Sequence, residues 1–451
     1  MRPVALYGRA AALLLLLCLA VLRPAAAVEV QRVVSPGGIE AWLVEDHNVP
    51  VLSVSLAFRD AGAAYDPADR LGLANMTSAL LDEGAGDLDA QAFQKRLADL
   101  SISLDFDAGR DNFHASLATL TENRDEAVRL LALALTQPRF DPEPVARVRD
   151  QILISLARRS VDPSSLAYRT WFRVLFGDHP YAEPVEGEPA TVTAIETADL
   201  RKLVTERLAR SNLIVGVAGD ITAAELAPLL DRAFGALPKE PAPRELPKVA
   251  GLDTGETVVV ERPIPQSIAV FGHAGLRRED PDWYAALILN YALGGGGFTS
   301  RLMEEIREKR GLAYGVSTSL LPLDRAGLIM GQVATENDRV SESVELIRAE
   351  WRRVAEQGLT PEETANAKAY LVGSFPISLD STRRIAATLV SIQENHLGID
   401  YLDRRKALIE AVTPEDLRRV AQRLLDPAAL TFVVVGQPAK LQPTRKPPQA
   451  G

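Results

Sequence analysis

The chain has 451 residues, 47% hydrophobic and 24% charged, too many for one ordinary core and balanced as a globular rather than a disordered protein. Lys and Arg number 50 against 60 Asp and Glu, a net charge of −10, which argues against nucleic acid or an anionic membrane as the main partner. The single cysteine, Cys18, excludes a disulfide framework.

The N-terminus carries the pattern of an export signal over residues 1–27. Arg2 and Arg9 precede an apolar run from Ala10 to Leu22, and Ala25-Ala26-Ala27 supplies small residues for cleavage before Val28. The run is too short to span a bilayer, which takes about 20 residues. Cleavage would remove Cys18 and three arginines, leaving a cysteine-free chain without thiol chemistry, expected to be soluble, exported and periplasmic, with no membrane span.

Beyond the signal, Val51–Phe58 reads as a strand that leads through a charged loop to a helical stretch. Thr197–Asp220 reads as a Thr-capped amphipathic helix followed by a β-branched strand. Leu237–Gly251 (LPKEPAPRELPKVAG) is rich in proline and charge, the composition of a stiff, extended linker. The pattern then repeats: Ser267–Gly272 is strand-like, and Thr413–Pro438 again reads as a Thr-capped helix followed by a strand. Strands cluster instead of alternating strictly with helices, which predicts an α+β fold of two tandem homologous domains, each an antiparallel sheet packed with helices. The expected boundaries are 28–236, a linker at 237–251, 252–440, and a disordered tail over 441–451.

Chemistry-bearing motifs are sparse. The histidines His47, His114, His179, His273 and His396 are dispersed, and none has a carboxylate at zinc-motif spacing. One stretch stands out, Leu293–Tyr314 (LGGGGFTSRLMEEIREKRGLAY). Its glycines Gly294, Gly295, Gly296 and Gly297 give a mobile or closely approached backbone, a candidate substrate loop. Thr299 or Ser300 is placed to cap a helix with Leu302, Met303 and Ile306 on one face, which Gly311 would end. Arg307 near the helix end and Tyr314 on the following strand could share a cleft. A plain glycine loop joined to an amphipathic helix accounts for the same pattern.

This stretch resembles the Arg/Tyr segment of the second half of pitrilysin/insulinase-type zinc peptidases, the family that includes mitochondrial processing peptidase. The resemblance extends to the two homologous halves, the segment His179–Leu200 and the proline-rich linker. It implies two α+β halves enclosing a chamber for peptides or unfolded protein. The family's first half carries His-x-x-Glu-His and a later Glu. Here that pattern aligns with GLANMTSA (Gly72–Ala79), so the ligand positions hold Asn75 and Ala79, the general-base position holds Ser78, and the family spacing places Ser155 at the third ligand. Asn, Ser and Ala supply neither three zinc donors nor a base. Arg307 and Tyr314, in contrast, match the family pair, which implies substrate and oxyanion binding. The resemblance therefore implies a non-catalytic subunit of a heterodimeric metalloendopeptidase, inactive alone, with no cofactor in this chain and zinc in a homologous partner. The alternative is a peptide-binding or structural member with no role in proteolysis.

Overall fold

The computed structural model describes residues 29–252 and 254–448; the expected export signal lies outside them. The first half runs β1 (Gln31–Val34), β2 (Glu40–Glu45), β3 (Val51–Phe58), α1 (Leu73–Ser78), α2 (Ala90–Asp99), β4 (Ser103–Ala108) and β5 (Phe113–Leu120). Helices α3 (Arg124–Thr136), α4 (Pro142–Val161), α5 (Pro163–Phe176), α6 (Pro189–Ala194) and α7 (Thr197–Arg207) follow, then β6 (Leu213–Gly219) and α8 (Ala223–Phe234). The second half repeats the plan: β7 (Thr257–Glu261), β8 (Gln266–Ala274), α9 (Trp283–Asn290), β9 (Ala313–Pro322) and β10 (Gly327–Glu336). It closes with α10 (Val340–Gln357), α11 (Pro361–Gly373), α12 (Thr382–Glu394), α13 (Tyr401–Glu410), α14 (Pro414–Leu424) and β11 (Thr431–Gly436).

The two sheets share one topology. Their strand orders are β1-β2-β6-β3-β5-β4 and β7-β11-β8-β10-β9, so removing the edge strand β1 superposes one order on the other. Most pairings are antiparallel, as in β3 against β5, where Val51 faces Leu120 and Phe58 faces Phe113. One pair in each sheet, β2 with β6 and β7 with β11, is parallel, so the sheets are mixed where the sequence predicts antiparallel ones. Alternation explains the half-solvated strands: β5 (FHASLATL) buries every second residue. The central strands β6 and β11 are buried almost throughout, because both of their faces are covered.

What covers the second face is a reciprocal exchange. Helix α5, from the first half, lays Trp171, Phe172 and Val174 on Val258, Val270, Val433 and Val435 of the second sheet. Trp171 also donates its indole N–H to the Thr431 carbonyl at 3.2 Å. Helix α12, from the second half, lays Ile385, Ala386 and Leu389 on Trp42, Val44 and Ala218 of the first sheet. Each crossing has a glycine beneath it: a Cβ at Gly216 would meet the Ala386 carbonyl oxygen at 2.4 Å, and one at Gly272 the Trp171 ring at 2.8 Å.

Three local expectations are corrected. Thr413 caps α14 with its hydroxyl, but α7 is capped one residue earlier than expected, where the Asp199 carboxylate accepts the Glu196 N–H at 2.9 Å. The 237–251 segment is extended but pinned: Ala242 donates to the Glu206 carbonyl at 2.7 Å and Arg244 to the Asp66 carbonyl at 2.6 Å. The tail, expected to be disordered from 441, is held against β7 as far as Arg445. There Thr444 exchanges backbone and hydroxyl hydrogen bonds with Thr257, and Arg445 pairs with Glu256 at 2.8 Å.

Candidate functional site

Helix α1 is short and firmly held. Gly72 precedes it at φ +91°, and a Cβ there would meet the Glu186 carbonyl oxygen at 2.6 Å, so only glycine lets α1 approach the 186–187 loop this closely. The buried Asp66 carboxylate accepts the N–H groups of Gly72 and Ala74, both at 3.0 Å, which satisfies free donors at the helix start. Burial raises the Asp66 pKa, and the two amides and Arg244 pull it back.

The structure brings together two of the four positions aligned with the family's zinc site. Asn75 on α1 and Ser155 on α4 line one cavity of about 450 Å³ with Asp107, Arg159 and Glu186. Ser78 and Ala79 do not reach it: the Ser78 hydroxyl is buried and donates to the Asn75 carbonyl at 2.9 Å, while Ala79 caps the helix C-terminus and is exposed. Zinc does not fit this set. An amide and a hydroxyl replace imidazole and carboxylate, and a guanidinium stands in the cavity, with Arg159 paired to Glu186 at 3.1 Å. Among the described residues no three His, Cys, Asp or Glu side chains are grouped to hold a metal ion. Four histidines have other partners: His47 meets Asp220, His114 meets Glu394, Trp351 donates to His273, and His179 accepts the Tyr181 N–H and bonds the Pro247 carbonyl.

This small cavity is one end of a longer cleft. Arg159, Val185 and Glu186 also line a cavity of about 780 Å³ between the halves, to which the second half contributes Arg262, Leu321, Leu323 and Gln332. Ser164 and Gln332 in turn connect it to a third space bounded by Gly315, Val316 and Ser317 of β9. Neither the larger cavity nor its charges were legible in the sequence, because the lining residues come from separated segments.

The Arg/Tyr segment packs differently from its sequence expectation. Three of the four glycines are closely approached: a Cβ at Gly294 would meet the Thr318 hydroxyl at 2.5 Å, at Gly295 the Asn290 amide at 2.6 Å, and at Gly296 the Tyr291 carbonyl at 2.8 Å. Gly297 alone faces open space, at φ +58°. Thr299 and Ser300 do not cap with their side chains; their hydroxyls donate backwards to the carbonyls of Gly296 and Gly297, at 2.9 and 2.7 Å. The helix that follows widens into a π-turn over Met303–Glu308 and ends at Gly311, whose φ is +58°. Arg301 clamps it to α11 through both oxygens of Glu363, and Glu305, nearly buried, pairs with Lys309 and Arg310.

Against that fixed base Tyr314 stands outward, while Arg307 is half-buried. The Arg307 guanidinium lies 4.5 Å from the centre of the Phe298 ring and 3.5 Å from Glu308. Tyr314 is 90% exposed, Phe298 71%, and among the described residues the Tyr314 hydroxyl has no hydrogen-bond partner. Neither Arg307 nor Tyr314 lines the cleft within this chain.

Comparison with known proteins agrees with the geometry. Residues 42–186 match the family model for insulinase (peptidase family M16), and residues 194–371 match the model for the peptidase M16 inactive domain. The non-peptidase homolog YmxG of Helicobacter pylori is 29% identical over 88% of this chain and 91% of its own length. An uncharacterized zinc protease of Streptomyces coelicolor is 32% identical over 66% of each chain. A crystal structure described as a peptidase M16 inactive domain, from Pseudomonas fluorescens, superposes with a TM-score of 0.85 at 28% identity, covering 92% of this chain and 99% of that one.

Proposed function

The chain belongs to the insulinase family, peptidase family M16, and we propose that it serves as the non-catalytic subunit of an exported, heterodimeric metallopeptidase. One observation carries this reading: the first half's site lacks zinc ligands, while a rigidly anchored segment holds Tyr314 exposed and Arg307 half-buried against Phe298, neither lining this chain's own cleft. A homologous partner would hold zinc and supply the activated water. The donors of Arg307 and Tyr314 would be aimed at the substrate carbonyl oxygen, where negative charge develops as the peptide bond is attacked. Gly294–Gly297 would shape the adjoining wall. Alone, the chain would cleave nothing. No helix among the described residues is long and apolar enough to cross a membrane, and the N-terminal pattern supports export to the periplasm.

The test is co-purification from the envelope with identification of a zinc-bearing partner, then turnover of the complex carrying Arg307→Ala or Tyr314→Phe. Loss of one oxyanion donor costs about 10²–10³ in rate, with complex yield unchanged. Full activity in the double variant would leave the pair as scaffold, and the chain as a peptide-binding member without a part in proteolysis, the reading that the name of its Helicobacter relative favours.

A further inference from the structure

We propose that the interdomain cleft selects peptides bearing carboxylates, a preference that rests on the peptide-binding reading above and adds a substrate class to it. The 780 Å³ cavity is lined by four guanidiniums, Arg110, Arg159 and Arg169 from the first half and Arg262 from the second, against two carboxylates, Glu186 and Glu188.

Both carboxylates are already engaged. Arg159 holds Glu186 at 3.1 Å, and Glu188 is held by Arg173 at 2.6 Å as well as by Arg169 at 3.5 Å. Arg110 and Arg262 have no carboxylate partner among the described residues. Arg110 donates to the carbonyl oxygens of Tyr181 and Glu183, at 2.9 and 2.7 Å, and lies 4.1 Å from the Phe172 ring centre. These contacts occupy one terminal nitrogen without neutralising its charge; burial lowers its pKa, yet a guanidinium stays protonated in proteins. Arg262 donates only to the Glu261 carbonyl, at 3.0 Å, and stands at the opening. The cavity thus holds surplus positive charge inside a chain whose overall charge is −10. Low-dielectric walls, here built partly from leucines and prolines, concentrate such a field. A ligand that supplies a carboxylate beside an apolar side chain complements both features.

The experiment is fluorescence anisotropy with the full mature chain and labelled peptides of one length and apolar composition, differing only in carrying Glu, Gln or Lys, each with a free or amidated C-terminus. Affinity should fall in the order Glu, Gln, Lys, with the spread narrowing as salt is added. Arg262 is exposed and outside the Arg/Tyr segment, and Arg262→Glu should weaken the amidated Glu peptide about fivefold and the amidated Gln peptide, which has no carboxylate, far less. A preference surviving amidation assigns it to side-chain carboxylates; one abolished by amidation assigns it to the C-terminus. Equal affinities, or Lys bound most tightly, would overturn the charge preference and leave peptide binding standing. Failure of all the peptides to bind would overturn both.

Discussion

The two halves share a strand order and differ in what each has done with its site. In the first, the surroundings of the ligand positions are tied to one another: Ser78 bonds within its helix, Arg159 and Glu186 close on each other, and Asp66 and Gly72 lock α1 in place. In the second, an equally anchored segment leaves Phe298 and Tyr314 facing outward, with the half-buried Arg307 packed on the Phe298 ring. One fold therefore carries a tightly held helix α1 at one site and exposed aromatic side chains at the other.

Stability measurements can break that contrast. The largest effect is expected at the exchanged helix: Trp171→Ala removes a fully buried ring and should cost about 3–5 kcal/mol, whereas Phe298→Ala should stay within about 0.5 kcal/mol. Chemical denaturation of both variants checks this, and comparable losses would mean that Phe298 is a core residue. Next in size are the glycines. Gly72→Ala forces a Cβ against a backbone oxygen at an αL position and should cost about 1–3 kcal/mol. Gly297→Ala, with open space around it, should cost about 1 kcal/mol.

The smallest expected effect lies where the halves meet. His114 and Asn112 of the first half bind Glu394 of α12, both at 2.8 Å, and the Asp324 N–H donates to Asp111 at 3.1 Å; Asp60, Arg59, Arg325 and Tyr181 complete the cluster. Burial disfavours the His114 cation but Glu394 outweighs it, so its pKa is raised. Burial raises Asp111; desolvation, then repulsion from Asp111, Asp60 and Glu394, pushes Asp324 up to about 7, an effect that its exposure to solvent weakens. The directions agree. A raised histidine stabilises below its unfolded value of 6.5 and loses that contribution as pH rises through its folded value. Raised carboxyls keep protons that the unfolded chain gives up from 3.8 upward, so they too lose stability as pH rises. Urea midpoints should therefore fall from about pH 6 to about pH 8, by less than about 1 kcal/mol. A flat profile over that range would overturn these raised values.

How far the sequence could be read follows from which forces are local. Val51–Phe58 is a strand over the limits its β-branched pattern predicts, and Thr413 caps where its chemistry says it should. The cap at Glu196 was missed because Asp199, three residues on, supplies the accepting oxygen instead of Thr197. The family resemblance aligns Asn75 and Ser155 with ligand positions, and the two line one cavity; periodicity says nothing about Arg159 reaching in beside them. Nor does an amphipathic helix announce which sheet it will cover, so the crossing of α5 and α12 was invisible.

That crossing also sets an order of events. The indole of Trp171 waits for a carbonyl 260 residues downstream, and Ser53 for a hydroxyl 329 residues away at Thr382. Contacts so distant along the chain are the slow ones to form. A nascent first half would show the bare face of its sheet until nearly the whole polypeptide had been made, and would need shielding for that interval. Once assembled, the same arrangement works in reverse: a protease cutting the 237–251 segment would create two new ends, yet the fragments would stay clasped as one particle.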